Sequence, residues 1–357
     1  MISQTEGDDA MTALAARFLR LDDRPGWLER ALRRQWPLWA MLVALVALRT
    51  FAMPDDGRAL VDTVRTVVER AVIFACLTLP VLAIAMLHHT GSIRAMGTRG
   101  LARLKDPQDV VNVAACLVLL SLSIHTFPSF KILIPQLVPF AWDGWFTDLD
   151  RALHFGRDPW LWLQPVLGYG QATVWLDRIY YLWFPVVFVP VAFAAFMPST
   201  SVLRNRVIYA HVGAWWLLGI VMATGLSSVG PIFHPQLTGE DTFAPLVAAL
   251  EAVPGGLTTL EVRDMLWGHY RGEKVASIGG ISAMPSLHNA LAVMLVLAAR
   301  HVGRVLTVLA TIFALTIFVG SIHLGWHYAI DGYVAAIAML AVWKLAGRLA
   351  ERTTPAA

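Results

Sequence analysis

The chain has 357 residues, 57% of them hydrophobic and 15% charged, and its mean hydropathy of +0.59 excludes an ordinary soluble domain. A formal net charge of +3, with basic residues scattered between apolar segments, leaves no nucleic-acid footprint. Cys76 and Cys116 fall within apolar segments, so a disulfide framework of the secreted kind is not expected.

Residues 1–23 are too acidic for a secretory signal, since Glu6, Asp8 and Asp9 precede any hydrophobic run. Residues 10–21 read as an amphipathic helix lying at the cytoplasmic interface, with disorder as the alternative. Eight apolar segments follow, at about 35–53, 69–88, 109–128, 177–197, 207–229, 283–302, 304–322 and 327–347. Each, at ~1.5 Å per residue, crosses most of a ~30 Å hydrocarbon layer. Pro80 falls within the second, where a kink is expected. The fold class predicted is all-α, a polytopic transmembrane helical bundle. No internal repeat stands out.

Cytoplasmic loops retain Lys and Arg. Arg30, Arg33 and Arg34 precede the first segment; Arg94, Arg99, Arg103 and Lys105 lie between the second and third; Arg204 and Arg206 between the fourth and fifth; Arg300 and Arg304 between the sixth and seventh; and Lys344, Arg348 and Arg352 near the end. All five groups fall on one side of an even-numbered topology, which places both termini in the cytoplasm. The starts of the sixth and eighth segments are then extracytoplasmic, together with two long aromatic-rich connectors, 129–176 and 230–282. Loops of that length inside a compact domain are usually functional, and these are apolar enough to be re-entrant or interfacial pieces covering a site.

Two stretches carry polar groups where such groups are expensive: Ala283-Met284-Pro285-Ser286-Leu287-His288 and Gly320-Ser321-Ile322-His323-Leu324-Gly325-Trp326-His327-Tyr328-Ala329-Ile330-Asp331. Pro285 suits the first turn of a helix, whose free N–H groups, with a Ser hydroxyl and an imidazole beside them, make a phosphate site. The plainer reading is that Ser286 caps the helix and His288 packs in the bundle. His327 and Asp331, four apart, share a helical face, so the carboxylate can fix the imidazole tautomer and free its other nitrogen for attack. The plainer reading there is a polar pair stabilising a helix start. His323, His327 and Asp331 also read as a metal-binding row, although Gly325 intervenes and the helix boundary falls close to it.

These stretches resemble the second and third signature motifs of the type-2 phosphatidic acid phosphatase superfamily of lipid phosphatases and phosphotransferases. Pro285, Ser286 and His288 match the second, Pro-Ser-Gly-His, with Leu287 in place of its glycine. His327 and Asp331 match the third at the right spacing, while Gly320 and Ser321 stand where Ser-Arg is expected. The first motif, a lysine followed seven residues later by Arg-Pro, is not found. Ala-Met-Pro-Ser-Leu-His and His-Tyr-x-x-Asp look closest to the inositol phosphorylceramide synthase branch. Asp150, Phe155, Gly156 and Pro159 within 143–159, Asp177-Arg178-x-x-Tyr181 and Gly230-Pro231-x-Phe233 are similar to landmarks of that branch.

The resemblance implies a six-helix catalytic core and a two-step phosphoryl transfer in which His327 attacks phosphorus, Asp331 supports its imidazole and His288 protonates the leaving oxygen. Ser286, with Arg178, Arg271 or Lys274 replacing the missing basic residues, would bind the phosphoryl oxygens, because their charge must be stabilised in the transition state. His323, Ser321 and Tyr181 are additional candidates. Neither a metal nor another cofactor is implied. The partners implied are a phospholipid or lipid-phosphate substrate, a lipid alcohol acceptor and the bilayer, in a plasma or inner membrane, with the site on its extracytoplasmic face. The domain reading is a cytoplasmic segment 1–34, two N-terminal spans in 35–108, a catalytic membrane domain 109–347 and a cytoplasmic tail 348–357. A transferase and a phosphatase share the same first half-reaction. A transporter or lipid-binding membrane protein, the remoter alternative, predicts repeats and mid-membrane charges, and neither is read here.

Overall fold

The computed structural model describes residues 29, 32, 33, 35–52, 58–90, 106–273 and 279–354. The amphipathic segment 10–21, Arg30, Arg34, the basic group between 94 and 105, and Lys274 lie outside them. Among the described residues all regular structure is helical, as a bilayer requires of a chain that must satisfy its backbone internally.

Each of the eight predicted segments falls on helix. They are α1 (Trp36–Ala52), α2 (Arg58–Thr90), α3 (Pro107–Leu137), α6 (Gly170–Tyr181) continued by α7 (Trp183–Ala195), α8 (Val202–Gly213), α12 (Leu287–Ala299), α13 (Arg304–His323) and α14 (Ala329–Thr353). Among the described residues five stretches are long and apolar enough to cross a membrane: Pro107–Leu137, Gly170–Ala195, Val202–Gly225, Arg304–His323 and Ala329–Thr353. Trp36–Thr50 and Leu287–Ala299 are shorter apolar helices. α13 exposes Val305, Leu309, Ile312 and Leu315, a surface suited to contact with hydrocarbon.

Two boundaries differ from the sequence reading. The third segment does not stop at Pro128, because α3 runs through Pro128 and Pro135 to Leu137; intramembrane helices tolerate proline where neighbours satisfy the freed carbonyls. In the fifth, α8 winds on as a π-helix over Ala214–Met222, a geometry frequent near functional sites.

The chain forms two compact units. The first comprises Met1–Leu122, Ala192–Asn205 and Ala350–Ala357. Its polar knot is built on Arg204, 1% exposed, which donates to Gln35 Oε1 (3.1 Å), Asn205 Oδ1 (2.7 Å), the Asn112 carbonyl (3.4 Å) and Cys116 Sγ (2.9 Å). Arg204 therefore does more than count as a loop charge; every one of these partners is neutral, so the guanidinium is solvated by dipoles.

The second unit comprises Ser123–Val191 and Arg206–Leu349. Here the long connectors fold into short helices: α4 (Asp143–Leu153) and α5 (Pro159–Leu167) in the first, and α9 (His234–Thr238), α10 (Ala244–Glu251) and α11 (Thr258–Tyr270) in the second. α5 and α10 are apolar, whereas α4 and α11 mix apolar with charged residues. α4 buries Asp143, Phe146, Thr147 and Asp150, the spacing of one helical stripe, while Trp145 and Leu153 remain exposed.

Candidate active site

Helix α12 begins at a tethered segment. The Ala283 N–H donates to the Ser228 carbonyl (3.0 Å) and the Met284 N–H to Ser228 Oγ (3.1 Å), and the Met284–Pro285 peptide is cis. Ser286 has extended backbone (φ −69°, ψ 109°) and is the N-cap of α12, accepting from the Asn289 N–H at 3.4 Å. Asn289 Nδ2 also donates to Ser286 Oγ (2.9 Å) and to Ser321 Oγ (3.2 Å), and Ser321 Oγ donates to the Phe318 carbonyl (2.7 Å). The capping role anticipated as the plainer reading is thus realised. It does not exhaust the hydroxyl, which accepts twice here and retains its own proton to donate. The His288 ring is clasped by Tyr180 (centroids 4.8 Å, 20°) and Trp183 (4.3 Å, 40°), and Trp183 Nε1 donates to the His288 carbonyl at 3.0 Å.

Helix α14 begins at the second stretch. α13 ends at His323, and the chain turns through Gly325 at φ +75°, where the sequence placed the boundary. A Cβ on Gly325 would lie 3.2 Å from Ile232 Cβ and Leu246 Cδ2, so glycine suits both the left-handed turn and the space. The His327 N–H donates to the Ser321 carbonyl at 3.0 Å. Asp331 Oδ2 lies 3.1 Å from His327 Nδ1 and accepts from the Tyr328 N–H at 3.1 Å. The pair is buried, Asp331 fully and His327 at 7% exposure. A fully buried carboxylate against Nδ1 leaves Nε2 as the nitrogen available for chemistry.

These two helix starts meet: the His288 and His327 ring centroids are 6.2 Å apart, and the Ser286 N–H donates to the Asp331 carbonyl at 3.3 Å. Ser286, His288, Ser321, His327 and Asp331 therefore form one cluster. Its cation is a residue the sequence reading passed over. Lys131, on α3, acts electrostatically on both imidazoles, with Nζ 5.9 Å from the Phe127 ring centroid. A Cβ on Gly280 would come within 2.7 Å of the Lys131 carbonyl oxygen, so the segment leading into Ser286 lies directly against this turn of α3.

The remaining candidates have other partners. Arg178 is exposed and stands over the Trp175 ring at 5.2 Å. Arg271, 57% exposed, pairs with Glu273. Tyr181 packs edge-on against Tyr180 (6.1 Å, 82°). His323 Nε2 meets Thr173 Oγ1 at 3.0 Å, so His323, His327 and Asp331 do not converge as one donor row, and among the described residues no group of three His, Cys, Asp or Glu is placed to hold a metal ion.

Three buried carboxylates outside the motifs hold the frame. Asp177 accepts from the Thr258 and Thr259 N–H groups (3.0 Å each), closing the start of α11. Asp143 accepts from the Val229 and Gly230 N–H groups and from the Tyr328 hydroxyl (2.9 Å). Asp150 accepts from the Ala329 N–H (2.7 Å) and the Ile330 N–H (2.8 Å), closing the start of α14. Burial pushes the Asp150 carboxyl up to about 6, against the pull of those two N–H groups.

A family model described as the PAP2 superfamily matches residues 144–345, the stretch that contains every member of this cluster except Lys131. No curated protein matches, and no solved structure matches.

Proposed function

The chain belongs to the PAP2 superfamily, and on that premise we propose that it transfers a phosphoryl-containing head group from a membrane lipid to an alcohol acceptor, in the manner of an inositol phosphorylceramide synthase. His327 Nε2 attacks phosphorus while the bond to the lipid oxygen breaks, and that oxygen takes its proton from His288. The lipid alcohol leaves, and the phosphorus remains on His327. An acceptor hydroxyl then gives its proton to His288, attacks phosphorus and frees His327. Asp331 holds the ring through Nδ1 and compensates the positive charge it acquires.

The observation that carries the reading is the meeting of two helix starts, with a carboxylate-held imidazole and a second imidazole 6.2 Å apart. That span suits one phosphoryl group touching both rings. Ser286 and Lys131 receive the phosphoryl oxygens, supplying the charge stabilisation such transfer depends on. Arg178 and Arg271 would have to leave Trp175 and Glu273 to join them. A lipid substrate is further supported by an apolar cavity of about 300 Å³ beside α13 and α14, lined by Phe155, Trp162, Phe318 and Tyr333 among others.

The test is incubation of purified protein with labelled phospholipids, with and without alcohol acceptors, followed by product identification. A phosphorylated acceptor formed in preference to free phosphate supports transfer. Release of phosphate irrespective of acceptor supports the alternative, a lipid phosphate or polyprenyl diphosphate phosphatase with the same residues, and no turnover overturns both. The extracytoplasmic placement is tested separately: cysteine at exposed Phe155 should react with an impermeant thiol reagent outside the cell, and cysteine at exposed Val302 should not.

A further inference from the structure

A buried helical stripe is ordinarily apolar, and buried carboxylates survive only where donors surround them. The stripe of α4 departs from that rule at both ends, and its Asp143, Phe146 and Asp150 side chains all meet one short segment. Asp143 and Asp150 are seven residues apart, two turns on one face. Asp143 Oδ1 accepts from the Tyr328 hydroxyl at 2.9 Å. The Phe146 ring packs against the Tyr328 ring at 6.1 Å, while Thr147 Oγ1 donates within the helix to the Asp143 carbonyl at 2.9 Å. Asp150 takes the Ala329 and Ile330 N–H groups at 2.7 and 2.8 Å. The segment so held, Tyr328-Ala329-Ile330, is the whole of the chain between His327 and Asp331.

We infer that α4 is the positioning element of the site: Asp143 and Asp150 fix Tyr328–Ile330 so that His327 and Asp331 keep their geometry when the imidazole gains phosphorus. The inference deepens the phosphohistidine reading and rests on it for the role of His327. Neither acid touches the reacting atoms; both act through the backbone or side chain of the held segment. The consequence for catalysis follows from how steeply rate depends on alignment, since a displacement of about 1 Å at a nucleophile costs on the order of 10²-fold. Losing one hydrogen bond behind the nucleophile should lower kcat and leave KM nearly unchanged, because substrate binding is not what α4 controls.

The experiment compares Asp150→Asn and Asp143→Asn with parent, and with Asp148→Asn as control, since Asp148 lies on the exposed side of the same helix. Turnover of the lipid substrate and of an activated aryl phosphate is measured, together with the 15N signals of the His327 ring in histidine-labelled protein in detergent. The expected result is a kcat loss of roughly 10- to 100-fold on both substrates, KM within about twofold, and a moved His327 Nδ1 signal, although neither variant alters a partner of that nitrogen. The control should match parent throughout. Folded variants with parental kcat and an unmoved signal overturn the inference. So does failure of both to fold together with parental values for Phe146→Leu, which leaves α4 a scaffold only. If parent turns over no phosphate ester, the functional reading fails, while the ring signal still reports whether α4 sets the geometry.

Discussion

The starts of α12 and α14 stand side by side and are closed in opposite ways. At α14 the N–H groups of Ala329 and Ile330 are occupied by a carboxylate from a distant element, Asp150. At α12 the cap is the neutral hydroxyl of Ser286, from the chain itself. Both are helix N-termini with the partial positive charge that attracts anions, but only one has been supplied with an anion by the protein. On the proposed mechanism the difference divides the labour: the carboxylate at α14 locks the helix that carries Asp331 and keeps a substrate anion from competing for it, while the neutral cap at α12 would leave a positive end, reinforced by Lys131, for a phosphoryl group.

The division can be broken at four places. The largest effect belongs to the nucleophile: His327→Ala should reduce turnover of every substrate by roughly 10⁴-fold or more, and appreciable lipid turnover by a folded His327→Ala protein would sink the mechanism. Next is Ser286→Asp, which gives α12 the closure that α14 has. Aspartate caps as well as serine, so the melting temperature should hold, while kcat/KM falls by roughly 10³-fold because the phosphoryl group meets a carboxylate where it needs a donor. An unchanged kcat/KM would mean that α12 does not receive the anion. Lys131→Met keeps the stem's packing and removes the charge, and a loss of about 10²-fold is expected in kcat/KM, partly restored by Lys131→Arg.

The smallest effect separates Asp150 from an ordinary surface cap. Its carboxyl is held up at about 6 against a usual 3.8, so the folded state keeps a proton that the unfolded chain has lost. The stability that proton contributes is complete below about pH 4 and lost as pH rises through about 6, up to about 3 kcal/mol in all. Asp150→Asn carries no such proton, and the difference in melting temperature between parent and variant should therefore change between about pH 4 and pH 7 and be level above it. A difference constant with pH would place Asp150 in an environment less buried than the structure shows.

How much of this could be read in advance depends on the range of the interactions. His327 and Asp331 are one helical turn apart, and Ser286 and His288 begin a helix behind a proline, so local spacing exposes both ends of the site. Lys131 was hidden by Pro128, which marks the end of a segment on local grounds; the helix persists because its neighbours pack around it, and a lone lysine among Phe130, Ile132, Leu133 and Ile134 was the signal available. The tasks of Asp143 and Asp150 have no local signature, since their partners lie 86 to 185 residues away. Arg178 and Arg271 are expected from the sequence as replacements for the missing basic residues, yet surface arginines beside Trp175 and Glu273 have ordinary neighbours to satisfy them.

Those long separations also set an order of events during synthesis. Asp150 leaves the ribosome 179 residues before the Ala329 N–H group it takes, whereas Asp143 meets the Val229 and Gly230 N–H groups after 86 and 87 residues and waits only for the Tyr328 hydroxyl; at 5–20 residues per second the wait of Asp150 is roughly 10–40 s. Throughout that interval Asp150 lies on the stripe α4 must bury with no Ala329 or Ile330 N–H group to receive it, so that end of α4 cannot settle while later helices are being delivered to the membrane. Docking of α14 is then what completes the seating of α4 and, on the proposed mechanism, brings His327 and Asp331 into register. A chain broken off before Ala329 would keep the Asp143 contacts but leave the Asp150 carboxylate uncompensated, and on the proposed mechanism it would lack Asp331 as well.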